Sequence, residues 1–285
     1  FIHETRDQLT FLKASSKRAY RISNANQAIA ILHKAIQDAQ TPPCGSVSVE
    51  IPIDIQSANI PLSLVTAPVK PTSVATVDPA IVDALWTQLK QAKQPLLWLG
   101  GGALRSADAV KKLADAGITV ISSTHARGVL PDSHRGSLRA FHNSPSVEAL
   151  IAQCDFTLVA GSRLRSNETR SWTLALPSPR VQIDIDPAAA SRNYLMDNTL
   201  IADCSALLSA LADNVQGREW GNAQWDALVQ QAVEQAGQGL RDQCGPYARL
   251  NDAIEKALPQ DGLLVRDITV SGSLWGSRLF RATAR

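Results

Sequence analysis

The chain reads as α/β, with a doubly wound parallel sheet in a central domain flanked by partial α/β domains. Three observations predict this. Continuous apolar runs, such as residues 95–99 and 156–160, alternate with helical patterns, as strands buried on both faces do. Gly100-Gly101-Gly102 follows the first run and precedes a helix. Acids that cap helices, Asp78 before Pro79 and Asp203, stand where helical periodicity begins.

The chain has 285 residues, and roughly 150 residues per domain predicts about two domains. With 45% hydrophobic and 19% charged residues it is globular rather than disordered. Its 28 Lys+Arg against 26 Asp+Glu leave a net charge of +2, too balanced for a nucleic-acid footprint. No apolar run nears the roughly 18 residues of a membrane span, and no signal peptide is visible. Nucleic acid and membrane are thus excluded as partners. Cys44, Cys154, Cys204 and Cys244 are scattered without C-x-x-C spacing, which fits a reducing, cytoplasmic setting. Cys154 and Cys204 fall in apolar helical patterns and are expected in the core. The only methionine is Met196, and the chain stops just past an apparent strand and loop; it reads as a piece of a longer protein.

Residues 24–40 predict an amphipathic helix with Ala28, Ile29, Ile31, Leu32, Ala35 and Ile36 on one stripe. Thr41-Pro42-Pro43-Cys44-Gly45 stops it, and residues 46–52 follow as a short strand. The proline-punctuated stretch 57–78 is an extended linker. A helix from Pro79 buries Ile81, Val82, Leu85, Trp86 and Leu89. Then come strand 95–99, helix 106–116, strand 118–121, a long loop, helix 144–154, and strands 156–160, 181–185 and 199–202, closed by a helix from Asp203 through Leu211. Residues 79–213 form this central domain, with right-handed crossovers expected. Beyond it, one helix begins near Trp225. Another covers 247–258 with Leu250, Ile254 and Leu258 inward. Residues 262–267 read as a buried strand that opens a further α/β unit.

Gly100, Gly101 and Gly102 are candidates for a phosphate cradle, because glycine lets an anion reach backbone N–H groups at a helix start. They equally suit a tight strand-to-helix turn, and Arg105 stands where a full G-x-G-x-x-G needs glycine. Asp184, at the end of a parallel strand, could accept from ribose hydroxyls, whereas Asp186-Pro187 makes an ordinary helix start. Arg163 or Arg165 could fork a phosphate, or form a surface ion pair. His125, His134 and His142 share one loop with Asp132, but lack metal-ligand spacing. No metal site and no G-x-S-x-G hydrolase elbow are read here.

In this order the segments resemble the thiamine-diphosphate-dependent enzymes of the acetolactate synthase and 2-oxoacid decarboxylase family. Gly45-Ser46-Val47-Ser48-Val49-Glu50-Ile51-Pro52-Ile53-Asp54-Ile55-Gln56 resembles that family's GPV-x-V-x-IP-x-DVQ segment. Landmarks of its central domain follow: Gly100–Gly102, residues 124–134, Asp155 through Gly161-Ser162-Arg163, and Gln182-Ile183-Asp184-Ile185-Asp186-Pro187. Residues 267–275 resemble the opening of its diphosphate-binding domain. The resemblance implies that residues 1–56 end a pyrimidine-binding domain and that 214–285 hold linker helices and the start of a diphosphate-binding domain. It implies thiamine diphosphate and Mg²⁺ as cofactors, largely held outside these residues, with Thr269, Val270, Ser271 and Gly272 near the diphosphate. The family's cofactor-activating glutamate and its G-D-G…N motif do not occur here, so no catalytic residue is assigned and the chain alone is expected to be inactive. A 2-oxo acid is the implied substrate and a homodimer or homotetramer the implied assembly. The family's synthases hold FAD in this domain. Their R-F-D-D-R contrasts with Arg163-Leu164-Arg165-Ser166-Asn167 here, which speaks against FAD and toward the decarboxylase branch. The alternative reading is a nucleotide-binding (FAD or NAD) Rossmann-type oxidoreductase domain.

Overall fold

A computed structural model describes residues 5–67, 77–259, 261–269 and 271–283, with the backbone alone at Ser271. Two compact units result, Phe1–Val74 and Ala75–Arg285.

The first unit contains α1 (Gln8–Ser15), β1 (Arg18–Arg21), a 3₁₀ turn at Ala25–Gln27, α2 (Ala28–Gln40), β2 (Val47–Glu50) and α3 (Ile53–Gln56). The Asp7 carboxylate caps α1 by accepting from Thr10 N at 3.0 Å. β1 and β2 pair in parallel, Arg18 opposite Val47 through Arg21 opposite Glu50. The expected strand 46–52 is shorter because Pro52 has no N–H to donate and instead precedes α3. Neither α1 nor β1 was legible, since Arg-Ala-Tyr-Arg carries no apolar run. The stripe expected on α2 is only partly covered: Ala35 is buried, but Ile36 is 46% exposed. Asp38 is buried instead, accepting from Tyr20 Oη and Lys34 Nζ. Of the expected linker 57–78, residues 68–76 lie outside those described.

In the second unit, α4 (Pro79–Leu89) starts where Asp78 accepts from Ala80 N at 2.9 Å. Strand β3 (Pro95–Leu99) follows, then α5 (Ala107–Asp115), β4 (Thr119–Ser122), α6 (Pro145–Ile151), β5 (Phe156–Ala160), β6 (Arg180–Asp184), β7 (Asn198–Ile201) and α7 (Cys204–Asp213). The five strands are all parallel in the order β4-β3-β5-β6-β7. Alternation along β3 divides two cores. Leu97 and Leu99 face α4, α5 and α7 through Leu85, Leu113, Leu207 and Leu211. Leu96 and Trp98 face α6 through Val147, Leu150 and Ile151. The sheet is therefore covered on both faces, as its uninterrupted apolar strands require.

The second face needs more than α6. Helix α8 (Ala223–Cys244) supplies the rest, burying Trp225, Val229, Ala232, Ala236, Leu240 and Cys244 at helical spacing. The Trp225 indole N–H also donates to Thr119 Oγ1 at 2.8 Å, between two buried side chains. Helix α9 (Tyr247–Ala257) turns differently from expectation: Ala248 and Asn251 are buried, whereas Leu250 is 46% exposed. The strand expected at 262–267 does not form. Leu263 and Val265 are almost fully exposed, and among the described residues no strand lies beside it to complete a ladder. A π-helical turn, Ser271–Leu279, follows and buries Trp275 and Leu279. Among the described residues no helix is long and apolar enough to cross a membrane.

Replacing Trp225 with Phe keeps most of the packing but leaves the buried Thr119 hydroxyl without its donor. We expect a loss of about 1–3 kcal/mol, read from chemical denaturation.

Candidate functional site

Strand order reverses between β3 and β5, so the carboxyl ends of these two strands flank the crevice where ligands of open α/β sheets bind. The loops leaving them are pressed together. Gly102 N donates to Gly161 O at 3.0 Å, and Gly100 N to Ala160 O at 2.8 Å. A Cβ on Gly100 would strike the Gly161 carbonyl, and one on Gly102 would lie 2.8 Å from Gly161 Cα. Gly161 itself sits at φ +62°, a left-handed conformation that favours glycine. The glycines thus permit two backbones to touch. Gly101 differs: it is exposed, with only His125 Cβ at 3.7 Å from where a Cβ would point.

Arg163 and Asp184 arrive at the same edge. The Arg163 guanidinium is exposed and pairs with Asp186 at 3.0 Å. The Asp184 carboxylate is buried and accepts from Asp186 N at 2.9 Å, and burial pushes its pKa above the usual carboxylate value. Asp186 in turn accepts from Ala188 N at 3.0 Å; a turn follows rather than the expected helix. Gly100–Gly102, Arg163 and Asp184 therefore converge on one rim.

Beside this rim lies a buried polar group that was not anticipated. Glu168 is fully buried, accepts from Thr124 N at 3.1 Å and pairs with Arg165 at 2.5 Å. Burial opposes its charge, but the Arg165 hydrogen bond, the nearby His142 and the Thr124 amide together hold its pKa below the usual glutamate value. His142 stacks on Trp98 at 6.3 Å between ring centroids. Burial lowers its pKa to about 4, so it is neutral at pH 7, and Glu168 stands 4.0 Å from its Nε2. Chain spacing hides this cluster, because its members come from a strand and from two loops in left-handed turns, at Asn143 and Leu164. The other loop histidines separate: His134 contacts Asp115 at 3.0 Å, and His125 lies near Gly101. Among the described residues no three His, Cys, Asp or Glu side chains converge as metal ligands.

A second buried group ties the last described segment to the central sheet. Asp132 pairs with Arg127 at 2.8 Å and Arg139 at 3.5 Å. It accepts from Ala282 N at 2.8 Å. Arg127 donates to the Gly276 and Phe280 carbonyls, and Arg139 to Leu279 O. Thr269 and Gly272 lie together on the turn before this segment: Ser273 N donates to Thr269 O at 2.8 Å. A Cβ on Gly272 would strike the Asp267 carbonyl oxygen. Val270 lies outside the described residues, as does the Ser271 side chain. Cys154, Cys204 and Cys244 are buried free thiols, and burial pushes Cys154 and Cys204 up to about 12.

Residues 82–211 match the family described as "Thiamine pyrophosphate enzyme, central domain". The chain is 24% identical over 260 residues, 89% of its length, to acetolactate synthase isozyme 1 large subunit of Escherichia coli, covering 46% of that protein. It is 30% identical over 128 residues to an acetolactate synthase of Mycobacterium avium, which is 43% of this chain and 21% of that one. It is 25% identical over 277 residues, 94% of this chain and 48% of the other, to a probable 2-ketoarginine decarboxylase of Pseudomonas aeruginosa. The chain spans about half the length of the longer-matching relatives. These matches do not favour the Rossmann-type oxidoreductase alternative.

The depressed His142 pKa sets a pH dependence. The unfolded chain takes up this proton near pH 6.5, whereas the native state resists it down to about pH 4, so stability falls as pH drops through that window. Glu168, lowered in the native state, acts in the same sense at lower pH. Wild-type protein should lose about 2 kcal/mol from this histidine between roughly pH 7.5 and pH 5. Replacing His142 with Phe should flatten that slope in urea titrations at the two pH values.

Proposed function

We propose that the chain, whose residues 82–211 match the thiamine pyrophosphate enzyme central domain, is the middle portion of a thiamine-diphosphate-dependent enzyme that acts on 2-oxo acids. One observation carries this reading. Similarity to an acetolactate synthase and to a decarboxylase extends over 89% and 94% of the chain, well past the domain match on both sides. Residues 1–56 are then the end of a pyrimidine-binding domain, 57–78 a linker, 79–213 the central domain, and 214–285 linker helices leading into a diphosphate-binding domain. When bound, thiamine diphosphate supplies a nucleophilic carbon and an electron sink for the carboxylate lost from a 2-oxo acid.

The residues of this chain have positioning work to do. Thr269 and the main chain at Gly272 would meet the diphosphate, with Val270 and Ser271 between them. The tight turn accommodates only glycine at 272, which is buried with its carbonyl accepting from Arg266 Nη1 at 3.2 Å, and it leaves Thr269 exposed. The Arg127–Asp132–Arg139 group would hold that turn in place by anchoring the carbonyl end of the following π-helical turn. The described residues bring no acid cluster to this turn, so Mg²⁺ would be held by ligands elsewhere.

At the sheet rim, exposed Gly101 with Arg163 and Asp184 is the candidate nucleotide subsite. The Gly102 amide is already taken by Gly161 O and Arg163 by Asp186. Both favour a decarboxylase-like rim with little flavin over a stoichiometric FAD site. Assembly as a homodimer or homotetramer fits this reading. The words "large subunit" in a relative's name add a regulatory partner as a candidate.

The test uses the full-length protein that carries this chain. Removing thiamine diphosphate and Mg²⁺ should abolish turnover of a panel of 2-oxo acids, and restoring both should recover it. Turnover indifferent to the two would overturn the assignment. Flavin absorbance of the purified protein should be far below one equivalent.

A further inference from the structure

A cavity of about 310 Å³ opens on the second face of the sheet, between the approach to α6, the C-terminal half of α8 and the π-helical turn. Its wall includes Phe141, His142, Gly239, Leu240, Gln243 and Arg278. Three features of this wall go unexplained by the fold. Arg278 is half-buried, and among the described residues no carboxylate pairs with it; its Nη2 donates to Ser273 O at 3.0 Å. His142 is only 4% exposed, yet neither ring nitrogen has a hydrogen-bond partner among the described residues. Gly239 stands inside the 22-residue helix α8 with nothing within 4 Å of where a Cβ would point. Glycine there costs the helix roughly 1 kcal/mol relative to alanine, although a side chain would fit.

We propose that this cavity binds a short-chain aliphatic carboxylate, with the Arg278 guanidinium on the carboxylate, His142 and Gln243 as neutral hydrogen-bonding groups, and the alkyl body over Phe141, Leu240 and Gly239. The charge count selects the class. Among the described residues of the wall, Arg278 is the one formal charge, because burial keeps His142 neutral near pH 7. A single negative charge therefore balances it, whereas phosphate would bring more. A planar guanidinium matches a carboxylate with two parallel hydrogen bonds. The apolar floor suits an aliphatic chain, and the missing side chain at position 239 leaves it room. Through His142 and Glu168 the site adjoins the glycine rim, and its existence does not depend on the thiamine reading.

The test is calorimetric titration of the chain with butyrate, inorganic phosphate and n-butanol. Butyrate should bind saturably and more tightly than either of the others. Arg278→Gln should weaken butyrate at least about tenfold, as loss of a charge-assisted hydrogen bond does. Gly239→Leu should weaken it similarly, by filling the space with a residue that favours the helix and leaves Arg278 in place. Should Arg278→Gln fail to fold, Gly239→Leu decides alone. Butyrate that fails to saturate into the tens of millimolar, phosphate or butanol that binds as tightly, or a folded Gly239→Leu variant with unchanged affinity would each overturn the proposal.

Discussion

The constraint on which the rest of this structure depends is the contact between two backbones at the point where strand order reverses. Gly100 and Gly102 on one side and Gly161 on the other lie so close that none tolerates a Cβ without displacing main chain. That contact lets β3 and β5 stay paired to their ends, Leu99 beside Ala160. It also sends one loop toward α5 and the other toward Arg163 and Asp184. Side chains at these positions would spread the two loops apart, and the rim that carries Arg163, Asp184 and Gly101 would lose its shape.

From that seam, burial proceeds outward on two faces with different means. The first face is closed by the crossover helices α4, α5 and α7, all within the repeating α/β pattern. The second has only the seven-residue α6 from that pattern, too short to cover Trp98, Ile121 and Val159. The long α8 completes the cover, and its Trp225 adds a directional bond to Thr119. The helices after the central domain are thus part of one core with it. The boundary at 213 read from the strand and helix pattern is therefore not a packing boundary, because the compact unit extends beyond it.

Polar groups buried between these layers are where chemistry is concentrated. Glu168 is stabilised as a carboxylate by a backbone amide and an arginine despite complete burial. His142 beside it is held neutral. Asp132 with two arginines fastens a distant segment. Buried charge of this kind is weak evidence of stability, because desolvation offsets much of the attraction. Its visible consequence is geometric: it fixes where loops with left-handed residues such as Asn143 and Leu164 run. Those loops form the rim of the sheet and the mouth of the cavity beside α8.

Much of the fold was legible because the central strands have one environment along their length. Residues 95–99 and 156–160, buried on both faces, are apolar throughout, and Asp78 and Asp203 cap helices by local hydrogen bonds. The sequence by itself also displayed the segments that resemble a known family and the glycines at the strand ends. Only the tertiary structure decided why those glycines are needed: Gly100 and Gly102 are set by the nearness of Gly161, some sixty residues away, which no local pattern records. It likewise decided that 262–267 is not a strand here, since a strand requires a neighbour as well as a composition. It brought Glu168 to His142 and to the Thr124 amide, and Asp132 to the Ala282 amide 150 residues away, separations along the chain that bear no relation to their distances in space. Local propensity is written in neighbouring residues; enclosure, pairing and the balancing of buried charge belong to residues that meet only once the chain has closed on itself.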